Sequence, residues 1–144
     1  MKAHAAVVTS VTIDVAPAEV IDKMTVLEIK TERLTNDEQL RNVRTELAAL
    51  GRVCDSRITA TPELDHLIVE LRKVNELLWD LEEEVRRYDA AEDLGEAFVQ
   101  SARAIIHANN RRVALKRAIN VLLGARFQEE KSYPLPDPAP TRES

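Results

Sequence analysis

Three helical stretches of the 144-residue chain carry polar side chains where their apolar stripes should continue. At 100° per residue, Glu28 falls on a stripe with Val20, Ile21, Met24, Leu27 and Leu34. Asn75, Glu82 and Arg86 fall among Ile68, Leu71, Leu78 and Trp79. Asn109, Lys116 and Asn120 share a third stripe with Phe98, Ile105, Ile106, Val113 and Ile119. Burying an unpaired amide costs ~1–3 kcal/mol and an unpaired charge more, so these groups are expected to partner one another. Two acids, two bases and three amides make a nearly neutral set. One use is a pocket offering Lys116, Arg86 and the amides to an anionic small molecule, with Glu28 or Glu82 as a base. The other is a structural network that fixes helix register, as a buried Asn does in coiled coils. The residues leave both open.

Other chemistries find less support. His4, His66 and His107 lie in different elements without ligand spacing, so no metal site is expected. Gly51, Gly95 and Gly124 are isolated, which excludes a glycine-rich phosphate loop, and Ser101 has no nucleophile motif around it. The single Cys54 shares the apolar stripe of its helix and reads as a small core residue. No cofactor is expected. Glu28 with Glu32, Glu76 with Asp80, then Lys116 and Asn120 faintly resemble the order of residues in the all-α magnesium-dependent nucleoside triphosphate pyrophosphohydrolases. Helical projection argues against that reading, because it turns Glu76 and Asp80 outward and Glu82 inward.

The positioning elements are helices. Aromatic residues make up 3% of the chain, charged residues 31%, and Gly occurs three times, a mix that favours helix over sheet. Alternating β-branched residues over 5–15 predict one short strand, whose possible partners are residues 131–135, a second copy, or none if it packs as an arm. Pro17 with Glu19 opens a first helix, 17–34. Thr35 and Glu38 fit a capping box before a second, 36–56. Thr61-Pro62 opens a third, 62–90, along which Leu64, Leu67, Leu71, Val74, Leu78 and Leu81 begin a coiled-coil-like seam that continues to Tyr88. Asp93 and Glu96 cap a fourth, 95–123, and four prolines after Tyr133 predict a flexible tail over 134–144.

The length fits one domain, assigned to 1–133. A net charge of −5 is not the basic balance that nucleic-acid binding needs. Charge is segregated instead: residues 62–93 hold eleven acids and four bases, whereas 96–127 hold one acid and six bases. The third and fourth helices are therefore expected to pair as a matched hairpin, with Asn109-Asn110-Arg111-Arg112 leaving nucleic-acid binding a minor alternative. No apolar run is long enough for a membrane span and no signal core is evident, so the cytoplasm is the expected location.

Four blocks in order, DKMTVLEIK from Asp22, VNELLW from Val74, NRRVALKRAIN from Asn110 and EEKSY from Glu129, resemble a bacterial and phage domain family of unknown function. The resemblance spans roughly residues 15–133. It groups Glu28, Asn75, Glu82, Asn109, Arg112, Lys116 and Asn120 into the family's polar blocks, adding Arg112 to the set, and implies no activity. The sequence departs from the family pattern at Asp80 and Asn110.

The expected fold is all-α, an antiparallel bundle of four long helices with a short N-terminal strand and an extended Pro-rich tail. A homodimer is expected, since a lone strand and a long heptad seam both seek partners. The preferred function is a non-catalytic interaction or assembly module; the alternative is binding or turnover of a phosphorylated or otherwise anionic small molecule between the first, third and fourth helices.

Overall fold

A computed structural model describes residues 8–125. They form four helices, α1 (Pro17–Arg33), α2 (Asp37–Arg57), α3 (Pro62–Ala90) and α4 (Glu96–Leu122), and no strand is present among the described residues. The strand expected over 5–15 is not formed over its described part, 8–15. Val8, Val11 and Ile13 project into solvent there, and they form no ladder with any described segment. The tail expected over 134–144, and the segment 131–135, lie outside the described residues.

Local chemistry sets the helix ends. Pro17 occupies the first turn of α1, where its missing N–H costs nothing. The α2 cap is Asn36, whose side chain accepts from the Gln39 N–H; the Thr35 cap expected from the sequence is not used. Thr61 caps α3 by accepting from the Leu64 N–H at 3.2 Å. The fourth helix starts after Gly95, without the side-chain cap expected from Asp93. It ends in a Schellman motif: Gly124 at φ +65° donates to the Val121 carbonyl, and Ala125 donates to that of Asn120.

The long helices α3 and α4 pack side by side, and α1 lies against both. Backbone contacts of α2 are with α1 alone. The short α1 is thereby central, and from residue 17 to 31 only Lys23 is exposed. Ala18, Ile21, Leu64, Leu71, Leu115 and Ile119 form the core where α1, α3 and α4 meet. Beyond it α3 and α4 continue as a two-helix spur in which no residue from 79 to 100 is buried.

Candidate functional site: a buried polar junction of three helices

On α1, Ala18, Asp22, Thr25 and Ile29 recur at spacings of four, three and four, so they stand on one face. All four are buried, Asp22 to 5% exposure. That face carries a carboxylate into the junction with α3 and α4. Oδ1 of Asp22 accepts from Arg112 Nε and from Asn75 Nδ2, both at 2.9 Å, and Oδ2 accepts from Arg112 Nη2 at 2.5 Å. The guanidinium thus grips the carboxylate with two donors, the fork geometry that favours Arg over Lys. Asn75 Nδ2 also donates to Thr25 Oγ1 at 2.7 Å, and that hydroxyl donates to the Asp22 carbonyl. One carboxylate therefore ties α1 to both long helices.

The start of α1 makes a second tie. Ala16, its N-cap, has no side chain to offer the free N–H groups of the first turn. Asn120 of α4 takes over that role, accepting from the Ala18 N–H at 3.0 Å. Lys116 is 6% exposed, and its ammonium lies 2.9 Å from Glu19 in the same turn. Asn120 is fully buried, and its Nδ2 has no hydrogen-bond partner; Asn110 Oδ1 is likewise unsatisfied.

Further along α1 lies a more exposed ionic cluster. Arg72 donates to Glu28 at 2.7 Å, to Glu76 at 3.0 Å and to Glu32. Hydrogen bonds to Glu76 and Glu32 hold the Arg72 guanidinium firmly protonated. Arg33 pairs with Asp80 at 2.7 Å. Glu76 and Asp80 thus engage α1, contrary to the outward placement that projection gives them. The four acids do line the α1–α3 edge, and two arginines stand among them. Among the described residues, no group of three or more His, Cys, Asp or Glu is arranged to hold a metal ion.

Of the residues singled out in the sequence, Asn75, Arg112, Lys116 and Asn120 belong to the junction. Glu28 is half-buried and belongs to the Arg72 cluster instead. Glu82, Arg86 and Asn109 are exposed, which corrects their expected burial. The reason is the path of α1: its bonds to α4 stop at Arg112, and those to α3 run on only as far as Asp80. Glu82 and Arg86 are left as a loose pair at 4.0 Å. Sequence reasoning also missed Asp22, the residue at the centre. Its signal was the Ala18–Asp22–Thr25–Ile29 spacing, a second buried face that a one-sided reading of α1 overlooks.

Two clefts adjoin α1. One, of about 430 Å³, is bordered by Val15, Glu19, Asp22, Lys23, Leu50 and Arg112. The other, of about 240 Å³, runs between α1, the end of α2 and the start of α3. Within it the Cys54 thiol donates to the Met24 sulfur at 3.3 Å. Burial, aided by Asp55, pushes the thiol up from its ordinary pKa and keeps it in the less nucleophilic protonated form.

Over the described residues, fold and junction make a helical assembly tied by a buried ion pair and its amides. The chain belongs to a family of unknown function (DUF6165), whose model matches residues 11–144. No curated protein and no solved structure matches it.

Proposed function

We propose that the protein is a non-catalytic helical interaction or assembly module, built as an antiparallel bundle whose junction locks α1 onto the α3–α4 pair. The observation that carries this reading is where the junction's polar groups point. Asp22 is satisfied by Arg112 and Asn75, the Ala18 N–H by Asn120, and Glu19 by Lys116, so the strongest donors and acceptors face one another. A reacting centre needs groups directed at a space a substrate can enter. Antiparallel packing of α3 and α4 is supported by Arg111 lying 3.9 Å from Glu70, far from the 91–95 connector. Basic residues of α4 answer acids of α1 and α3, which favours internal pairing over nucleic-acid binding. We place the protein in the bacterial cytoplasm, where a lone unpaired thiol is at home. Among the described residues no helix is long and apolar enough to cross a membrane.

A second reading, capture of an anionic small molecule, is favoured by the unsatisfied Asn120 Nδ2 and by the cleft bordered by Lys23 and Arg112. Thermal unfolding against a panel of nucleotides, sugar phosphates and divalent metal salts decides between the two. The assembly reading predicts no saturable rise in melting temperature. A saturable rise contradicts it, and loss of that rise in Lys23→Met while the variant stays folded assigns the ligand to this cleft.

A further inference from the structure

The groove that receives α1 does not end where α1 does. On α3 its wall follows Asn75, Trp79, Glu82 and Arg86 at spacings of four, three and four. On α4 it follows Phe98, Ala102, Ile105, Asn109 and Arg112, with spacings of four, three, four and three. Asp22 bonds both Asn75 and Arg112, so the two rows line one groove. Among the described residues only one end is filled. From Trp79 onward the α4 wall is an apolar stripe, with Phe98, Ala102 and Ile105 half-buried and Val99 and Ile106 beside them 48% and 58% exposed. Two helices alone cannot bury such a stripe; four-helix packing can.

We propose that the open half of this groove is the docking face for a second copy of the chain, two spurs closing face to face into a four-helix bundle about a twofold axis. This rests on the assembly reading and names its surface. Continuity is the first argument: the stripe prolongs the interface α1 already occupies, so its natural occupant is helical and apolar. Charge is the second. Glu82 and Arg86 have opposite signs and stand one turn apart on the open wall, in only loose contact with each other. A twofold axis between them sets Glu82 against the partner's Arg86 twice over, the reciprocal pairing that an isologous interface demands.

The test is light scattering with sedimentation equilibrium on the full chain and on three variants. The unsubstituted chain is expected to be a dimer. Ile106→Glu changes an exposed position and is expected to leave helicity unchanged while weakening association about 100-fold or more. Glu82→Arg and Arg86→Glu each place like charges across the axis and within the helix, so each alone is expected to be monomeric. Mixed one to one, they recover the dimer, because complementary pairing exists only between chains. A monomeric unsubstituted chain, an unchanged Ile106→Glu dimer, or a mixture no more associated than its components overturns the assignment. The assembly reading itself falls only to the ligand-dependent stabilisation described above, so the two failures are distinguishable.

Discussion

The two halves of the α3–α4 pair carry the same kind of sequence and meet different fates. In the half overlaid by α1, Asn75, Lys116 and Asn120 are buried and bonded, as is Asp22 opposite them. In the spur, Glu82 and Arg86 occupy equivalent helical positions and remain in solvent, as does Asn109 between spur and junction. Periodicity sets which side of a helix a residue stands on; whether that side is covered depends on a third helix. A 17-residue α1 reaches only part of the way along partners of 29 and 27 residues. Polar residues on an apolar stripe therefore have two energetic meanings in one molecule.

Substitutions can break this contrast. Asp22→Ala leaves the buried side of Arg112 without its carboxylate and Asn75 with Thr25 Oγ1 as its remaining acceptor, and is expected to cost about 3–5 kcal/mol of unfolding free energy in urea. Asn120→Ala removes the acceptor that caps α1 and is expected to cost about 1–2 kcal/mol. The loss of its other, unsatisfied donor offsets part of that. Arg72→Met, in the solvent-screened cluster, is expected to cost about 1 kcal/mol, because exposed pairs contribute little and the three acids it leaves repel one another. Raising the salt concentration should shrink the Arg72 effect and leave the Asp22 effect nearly intact.

The smallest expected effect is on pH dependence. A hydrogen bond from Lys73, helped by the charges of Lys73, His66 and Arg111, holds the Glu70 carboxyl below its ordinary value. With the folded pKa depressed, its contribution is complete above the ordinary Glu value of about 4.3 and disappears as the pH falls through the lowered one. Urea titrations of Glu70→Gln between neutral and acid pH should show a slightly shallower acid loss than the unsubstituted chain. A steeper loss would reverse the sign.

Much of the helical fold was legible because its signals are local. Pro17, Thr61-Pro62 and Gly124 mark helix ends through backbone chemistry that needs no tertiary contact. The Thr35 and Asp93 caps were misread because a neighbouring Asn36 and Gly95 offered competing starts. The candidate site was legible in its α4 members, since Lys116 and Asn120 interrupt an apolar stripe. Asp22 was hidden because α1 is covered on several sides, and a helix with more than one buried face has no single stripe to interrupt. Glu82 and Arg86 misled for the opposite reason: their positions are right for a core that the folded chain does not extend to them.

A double-mutant cycle tests the central claim most directly. Unfolding free energies of Asp22→Asn, Arg112→Met and the double variant give the coupling across the junction, and the same cycle with Glu82→Gln and Arg86→Met gives it in the spur, at protein concentrations low enough to keep every chain monomeric. The account predicts coupling of about 2 kcal/mol or more for Asp22 with Arg112 and close to zero for Glu82 with Arg86. Equal couplings in the two halves would contradict it.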